Sequence, residues 1–356
     1  MRCHTCAAPA NVEIRRSRIA FCARCYPTWF RSRVQERIDH DRMFRREDRV
    51  LVAVSGGKDS LALWHALTRL GYRADGVYIR LGIGGYSRRS QEKCERFAEQ
   101  HGLTLHQVDL EENEGFVVPD LRDARSGKPC AACGTVKRYH FNRVAADLGY
   151  EVVATGHNLD DEAATLFGNL VHWNVDYLGR QGPVLESTHP GLVRKVKPLY
   201  RLGERETAAY AIIERIDYIL EECPMARGAK SLAYKAMLNS LEEQQPGTKY
   251  GFLVGFLKQG RAALPGAGAD RAAGLRSCVR CGQPTTAEVC AYCRLAERGR
   301  RKRARSGSAA PDRLSRSGRA GPGPGAGRDA PHPGPDGGGG PRPAVVEPPA
   351  RPSPSG

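Results

Sequence analysis

Long apolar runs are missing from this 356-residue chain. No stretch approaches the roughly 18 consecutive apolar residues of a membrane helix. The opening MRCHTCAAPA also lacks the apolar segment of a secretory leader. Acidic side chains are in short supply as well: 39 Asp and Glu face 55 Lys and Arg, which leaves a formal charge of +16. A surplus of that sign concentrates anions at the surface and suits a polyanionic partner. From Arg301 onward 10 basic residues stand against 4 acidic ones, so that +6 belongs to the end of the chain and +10 to residues 1–300. The expected setting is the reducing cytoplasm, with no membrane partner, where cysteines serve as metal ligands or catalysts more often than as disulfides.

Cysteine itself is plentiful, at 12 residues, and it is grouped. Cys3, Cys6, Cys22 and Cys25 form CxxC–x15–CxxC, and Cys278, Cys281, Cys290 and Cys293 form CxxC–x8–CxxC. Paired CxxC units point to tetrahedral four-thiolate zinc sites, so a zinc ribbon is expected over 1–30 and a second over 274–298. Arg15, Arg16 and Arg18 interleave the first module and Arg276, Arg280 and Arg294 the second. Such ribbons either present cations to an RNA backbone or staple ends that lack a core. Residues 299–356 read as a disordered tail, because 301–356 holds 12 Gly and 12 Pro and almost no apolar cluster. The run RGRRKRAR (298–305) reads as a solvated basic stretch, with a transient RNA contact as the alternative.

Between the ribbons, strand and helix patterns alternate. RVLVAVS (49–55), ADGVYIRL (74–81), LTLHQVDL (103–110) and EVVATG (151–156) read as strands. Helices are expected over 58–70, 87–101, about 135–148, from 157 to about 171, over 203–215 and over 231–260. This order predicts an α/β domain over 31–265: a doubly wound parallel sheet with a helical extension and its ligand site beyond the strands' C-terminal ends.

The Walker pattern is absent, and a different anion loop takes its place. Ser55-Gly56-Gly57-Lys58-Asp59-Ser60 lies between a predicted strand and a predicted helix. Two glycines let the backbone approach an anion, and the free N–H groups at the helix start point at it. Lys58 adds positive charge, while Ser55 and Ser60 offer hydroxyls. Asp59 beside a pyrophosphate calls for a divalent cation, so Mg2+ is expected. The loop resembles the PP-loop of ATP pyrophosphatases, SGGxDS, which cleave ATP between its α and β phosphates. Gly156-His157-Asn158-Leu159-Asp160-Asp161-Glu162 resembles the second signature of PP-loop tRNA-modifying enzymes.

Cys130 and Cys133 precede a predicted helix, and Cys223 lies far downstream in Glu-Glu-Cys-Pro. Three readings remain open for this set: a structural zinc site, a disulfide or persulfide relay, and a [4Fe–4S] cluster on three thiolates. Cys94 reads as an ordinary helix side chain.

Taken together and in this order, the motifs resemble the TtuA-type tRNA 2-thiouridine synthetases, over roughly residues 1–295. The resemblance implies a tRNA uridine whose C2 oxygen is adenylated by ATP and replaced with sulfur. It implies that Cys130, Cys133 and Cys223 ligate a [4Fe–4S] cluster with one open iron, with sulfur arriving from a thiocarboxylated ubiquitin-like carrier protein. By position, Ala53, Ser55, Gly56, Gly57, Lys58, Asp59 and Ser60 contact ATP, with Ile79 beside the adenine and Gly156 and Asp161 closing the site. Lys137, one turn after Cys133, neutralises phosphate charge or meets the sulfur species. A homodimer is also implied, whereas the target uridine is left open. The rivals are a cytidine 2-thiolase, a PP-loop amidase or ligase, and a zinc-bearing RNA-binding protein without catalysis; the last two leave the core cysteines unused.

Overall fold

The structure, a computed structural model, describes residues 1–122, 129–264 and 274–307. The remainder of the expected tail, 308–356, lies outside the described residues. The chain opens with an antiparallel hairpin, β1 (Val12–Ile14) and β2 (Ile19–Phe21), carrying the first four cysteines at its base. Helix α1 (Tyr26–His40) follows at once, with Pro27 in the first turn, where a missing N–H does no harm. Its buried residues Tyr26, Phe30, Val34 and Ile38 recur every four positions and form one apolar stripe.

The central sheet has six strands: β3 (Arg49–Val54), β4 (Arg73–Arg80), β5 (Leu105–Asp109), β6 (Val152–Thr155), β7 (Val184–Leu185) and β8 (Arg194–Val196). Their order is β5-β4-β3-β6-β8-β7, all parallel except β7. The chain runs outward from β3 in one direction and, from β6, in the other. The switch point therefore falls between β3 and β6, where a doubly wound sheet opens its crevice.

Helices α2 (Lys58–Arg69), α3 (Gly84–His101), α4 (Leu110–Glu114), α5 (Pro129–Asp147), α6 (Leu159–Val171), α7 (Val175–Arg180) and α8 (Glu204–Ile213) make the connections. Because strand side chains alternate, Val50, Val52 and Val54 join α1, α2, α6, α8 and the N-terminal ribbon in one core. Leu51, Ala53, Val77 and Ile79 join α5 and the C-terminal ribbon in the other.

The expected helix over 231–260 is two helices, α9 (Lys230–Gln244) and α10 (Thr248–Gly255). Pro246 and Gly247 break it, the glycine at φ 100° in a region other residues avoid. After the short hairpin β9 (Arg276–Ser277) and β10 (Pro284–Thr285), helix α11 runs over Ala291–Gly307. The run 298–305, expected to be solvated at the head of the tail, is thus helical, and it is docked. Arg298 and Lys302 donate to the carbonyls of Leu121 and Arg122, Arg300 pairs with Glu114 at 2.9 Å, and Arg303 pairs with Glu111. Among the described residues no helix is long and apolar enough to cross a membrane.

Candidate active site

The 55–60 loop leaves β3 and enters α2 at the switch point. Ser60 Oγ accepts from the Ser55 amide at 3.1 Å and donates to the Gly57 carbonyl at 3.0 Å, which curls the loop around its own hydroxyl. Gly56 has φ 73°, and a Cβ there would stand 2.5 Å from the Ser90 carbonyl oxygen. Gly156, at the end of β6, is held as closely: its Cβ would lie 2.8 Å from Ser60 N and the Asp59 carbonyl carbon. The two signature segments therefore touch backbone to backbone.

Six side chains close a ring of alternating polarity there. Lys58 Nζ reaches Asp59 Oδ2 at 3.1 Å and Glu204 Oε1 at 2.7 Å. Lys235 bridges Glu204 at 3.2 Å and Asp161 at 2.6 Å. Asn158 completes the circuit, giving Nδ2–H to Asp59 Oδ1 at 3.1 Å and its backbone N–H to Asp161 Oδ2 at 3.2 Å. Burial pushes the Asp59 carboxyl above its usual range, with Lys58 opposing it. Burial also works against the Lys58 charge, but Asp59 and Glu204 outweigh it and raise its pKa. A cluster of carboxylates beside free helix-start amides can take up a phosphate chain together with a hard cation. Beneath it, Ala53 and Ile79 lie on the same buried face of β3 and β4.

The core cysteines reach this site from two directions. Helix α5 carries Cys130, which is exposed, Cys133, which is half-buried, and Lys137 one turn on. Cys223 arrives on a segment pinned to the phosphate loop itself, because the Ile219 amide donates to the Gly56 carbonyl at 2.8 Å. That segment is also tied to α3 through Asp217–Arg96 at 2.6 Å and Glu221–Arg89 at 2.8 Å. Cys130 Sγ lies 3.5 Å from the Met225 carbonyl, just past Cys223. Burial raises the Cys133 thiol against the pull of Lys137, and it feels Cys223 and Cys130 as neighbours. Tyr86, itself raised by burial, senses both Cys223 and Cys133. Cys94 is fully buried and held up to about 12 by that burial, while the Gly56 amide bonds to its sulfur and Lys137 acts on it. Lys137 thus influences thiols on both sides, at the cysteine pair and behind the phosphate loop.

The outer cysteines are packed differently. In each set the four sulfurs lie within 4.8 Å of one another. Measured pairs are 3.7 Å (Cys6–Cys22), 3.7 Å (Cys281–Cys290) and 3.9 Å (Cys278–Cys293). A tetrahedral ion with metal–sulfur bonds of about 2.3 Å needs an edge of about 3.8 Å. The Cys22 amide holds the Cys3 thiol down to about 6, which favours the thiolate a metal requires. Cys130, Cys133 and Cys223 do not close to that spacing as a set.

The PP-loop domain family matches residues 29–226. The tRNA-5-methyluridine(54) 2-sulfurtransferase of Thermus thermophilus is 51% identical over 295 residues, covering 83% of this chain and 91% of that protein. The chain belongs to the PP-loop family of tRNA 2-sulfurtransferases. The Thermotoga maritima protein of the same name is 43% identical, covering 83% of this PP-loop chain and 96% of its own. Among solved structures, the U34-tRNA thiolase of Methanococcus maripaludis with its [4Fe–4S] cluster aligns at TM-score 0.65 and 25% identity, covering 72% of this chain and 87% of its own.

Asn158, Glu204 and Lys235 were not singled out in the sequence of this PP-loop protein. Glu204 stands at the start of α8 and Lys235 lies within α9, with nothing local to mark either. Only the capping position of Asn158, whose Oδ1 accepts from the Asp160 and Asp161 amides at 2.9 and 3.1 Å, carried a local signal.

Proposed function

We propose that the chain is an ATP-dependent sulfurtransferase that converts a tRNA uridine, 5-methyluridine 54, to its 2-thio form. The choice of position rests on the higher identity to relatives named for that nucleoside than to the wobble-uridine enzyme. The observation that carries the reading is the backbone bond from Ile219 to Gly56, which ties the late cysteine to the phosphate loop. Adenylating and sulfur-bearing groups then act on one base.

ATP phosphates lie along the first-turn amides of α2, with Lys58, Ser55 and Ser60 around them and Gly56 and Gly57 giving close approach. Asp59 and Asp161 hold Mg2+, with Gly156 keeping the two segments in contact and Ala53 and Ile79 backing the adenine. The uridine O2 bonds to the α phosphorus as the bond to pyrophosphate breaks. A sulfur nucleophile then bonds to C2, and AMP leaves with the oxygen. Lys137 offsets charge on the sulfur as it approaches and on AMP as it departs. Cys130, Cys133 and Cys223 would hold a [4Fe–4S] cluster, which supplies an iron with an open position for sulfide. Two Zn2+ ions would be held by the four cysteines of each ribbon, over 1–30 and 274–298, flanking the catalytic region 31–265. A thiocarboxylated ubiquitin-like carrier provides the sulfur, and the enzyme works in the cytoplasm as a homodimer.

The test is anaerobic reconstitution with iron and sulfide, followed by incubation with unmodified tRNA carrying 5-methyluridine, Mg-ATP and sulfide. Digested nucleosides are read by mass spectrometry. ATP-dependent 2-thio-5-methyluridine that vanishes in Cys130→Ser and Cys223→Ser protein is the expected result. Thiocytidine moves the target to the other pyrimidine, and tRNA binding without any thionucleoside refutes catalysis.

A further inference from the structure

Two cavities share one wall. The first, of about 440 Å³, has Lys58 of the phosphate loop on one side and Arg16 of the N-terminal ribbon on the other. The second, of about 430 Å³, lies beyond Arg16, between the ribbon tip, α1, the turn before α8 and the start of α10. Trp29, Arg33 and Arg37 recur every four residues, so α1 turns a single stripe toward it. Arg201 and Tyr250 face it from the other elements.

The second cavity is short of negative charge. Arg16, Arg33, Arg37 and Arg201 line it, against the single carboxylate of Glu36. Glu36 is already divided between Arg33, at 2.7 Å, and Arg37. Arg16 is engaged by Glu206, its Nη2 standing 3.1 Å from Oε2. Arg201 makes no ion pair among the described residues, and its Nε is buried without a partner. Nη1 of Arg37, a residue 7% exposed, is in the same state. Guanidinium N–H groups left unanswered are unfavourable, and an anion is the group that answers them.

The aromatic side chains specify the anion further. Trp29 is half-buried, with Phe21 stacked at 5.2 Å between centroids and Tyr26 tilted against it at 5.4 Å. The Arg16 guanidinium lies 5.5 Å from the centre of the Tyr250 ring. Guanidinium groups beside a partly open indole match a phosphate with an unstacked base, the pairing by which proteins read looped RNA. The volume suits one nucleotide-sized occupant. Its arginines stand on the ribbon, on the face of α1 and in the turn before α8, while Gly247, at φ 100°, lines the wall at the start of α10.

We propose that this cavity binds a nucleotide of the RNA substrate other than the one modified, its phosphate on Arg33, Arg37 and Arg201 and its base on Trp29. The proposal rests on the tRNA reading above. A strand crossing Arg16 would then engage the phosphate-loop site and this pocket at once, and the N-terminal ribbon would help set which nucleotide reaches the chemistry.

Trp29 supplies the test. The chain has three tryptophans, Trp64 is fully buried, and Trp173 is replaced by phenylalanine to silence the exposed one. Unmodified tRNA is expected to quench Trp29 emission. Arg33→Gln with Arg201→Gln should abolish the quench and flatten the dependence of log affinity on log salt by about 1.4–1.8, the loss of two phosphate contacts, with ATP binding unchanged. The proposal is overturned if tRNA binds with no response of Trp29 and the double variant keeps the parental affinity and salt slope. It is equally overturned if inorganic phosphate or AMP quenches Trp29 as tRNA does, which would make the cavity a small-anion site. Failure of the parent to bind tRNA at all would instead refute the substrate assignment.

Discussion

Replacing Gly156 by alanine adds one carbon at the backbone contact between the two signature segments. That Cβ would meet Ser60 N and the Asp59 carbonyl carbon at 2.8 Å and the Asp59 oxygen at 2.9 Å, where ordinary contact begins at 3.4 Å. None of these atoms belongs to a flexible side chain, so the start of α2 has to move by about 0.6 Å. Overpacking of this kind costs about 1–3 kcal/mol, a loss of several degrees in Tm for a chain this size. The larger effect is expected on ATP, because the displaced residues carry the amides and the Asp59 carboxylate to which its phosphates are assigned in the proposed function. A misplacement of about 1 Å can reduce a rate about 100-fold, so a tenfold or greater fall in kcat/KM for pyrophosphate release is expected. Gly57→Ala is the stability control, since its Cβ would meet only Ser55 Oγ, at 3.6 Å. Calorimetry with ATP, thermal melts and pyrophosphate release decide the matter. A Gly156→Ala protein with parental Tm and kcat/KM within twofold would refute the claim that this contact sets the loop.

Lys58→Met removes a charged donor from both Asp59 and Glu204; ATP affinity should fall about 10- to 100-fold by calorimetry, the value of a charge-assisted bond. His65 and His140 are held neutral by burial, down to about 4 from the usual 6.5. Their folded-state pKa is depressed, so the stability they contribute is whole above pH 6.5 and is lost as pH falls toward 4. The loss amounts to about 3 kcal/mol each at most, and His65→Gln should flatten the dependence of the urea midpoint on pH across that window. Metal analysis of protein purified without iron should find two zinc ions per chain, and Cys278→Ser with Cys281→Ser should leave one. Cys94→Ala should keep the iron content of reconstituted protein, while Cys223→Ser should lose it.

The middle of the sheet was readable because β3 and β6 are buried on both faces and advertise themselves as apolar runs. RVLVAVS ends in the residues that bind it to the next helix, so strand, turn and helix were visible in one glance at 49–70. Helix α1 escaped notice because its stripe of Tyr26, Phe30, Val34 and Ile38 is interspersed with arginines that mask the period. Strands β7 and β8, of two and three residues, are too short to carry any pattern. The active-site motifs were legible as contiguous strings, whereas the ring through Glu204 and Lys235 was not. Its members come from four separate elements, and nothing local to a glutamate at a helix start records a lysine 31 positions away. The docking of α11 was hidden for a related reason: its arginines answer carbonyls and carboxylates of 111–122, which sequence composition cannot pair.

The stacking of Tyr292 on Tyr139, 3.5 Å between centroids with ring planes 6° apart, joins the C-terminal ribbon's helix to the helix that bears Cys130 and Cys133. Gly299 lies so close to Phe116 and Leu121 that even a methyl group would be crowded at 2.9 Å. The ribbon therefore packs directly on the helix that carries Cys130 and Cys133, so a change that unsettles the four outer cysteines is expected to reach the inner ones. A mild chelator aimed at the ribbon would masquerade as a defect in sulfur chemistry. A defect that starts at Cys278 or Cys290 would then show itself at Cys130 and Cys133, for a reason that no inspection of those two alone would reveal.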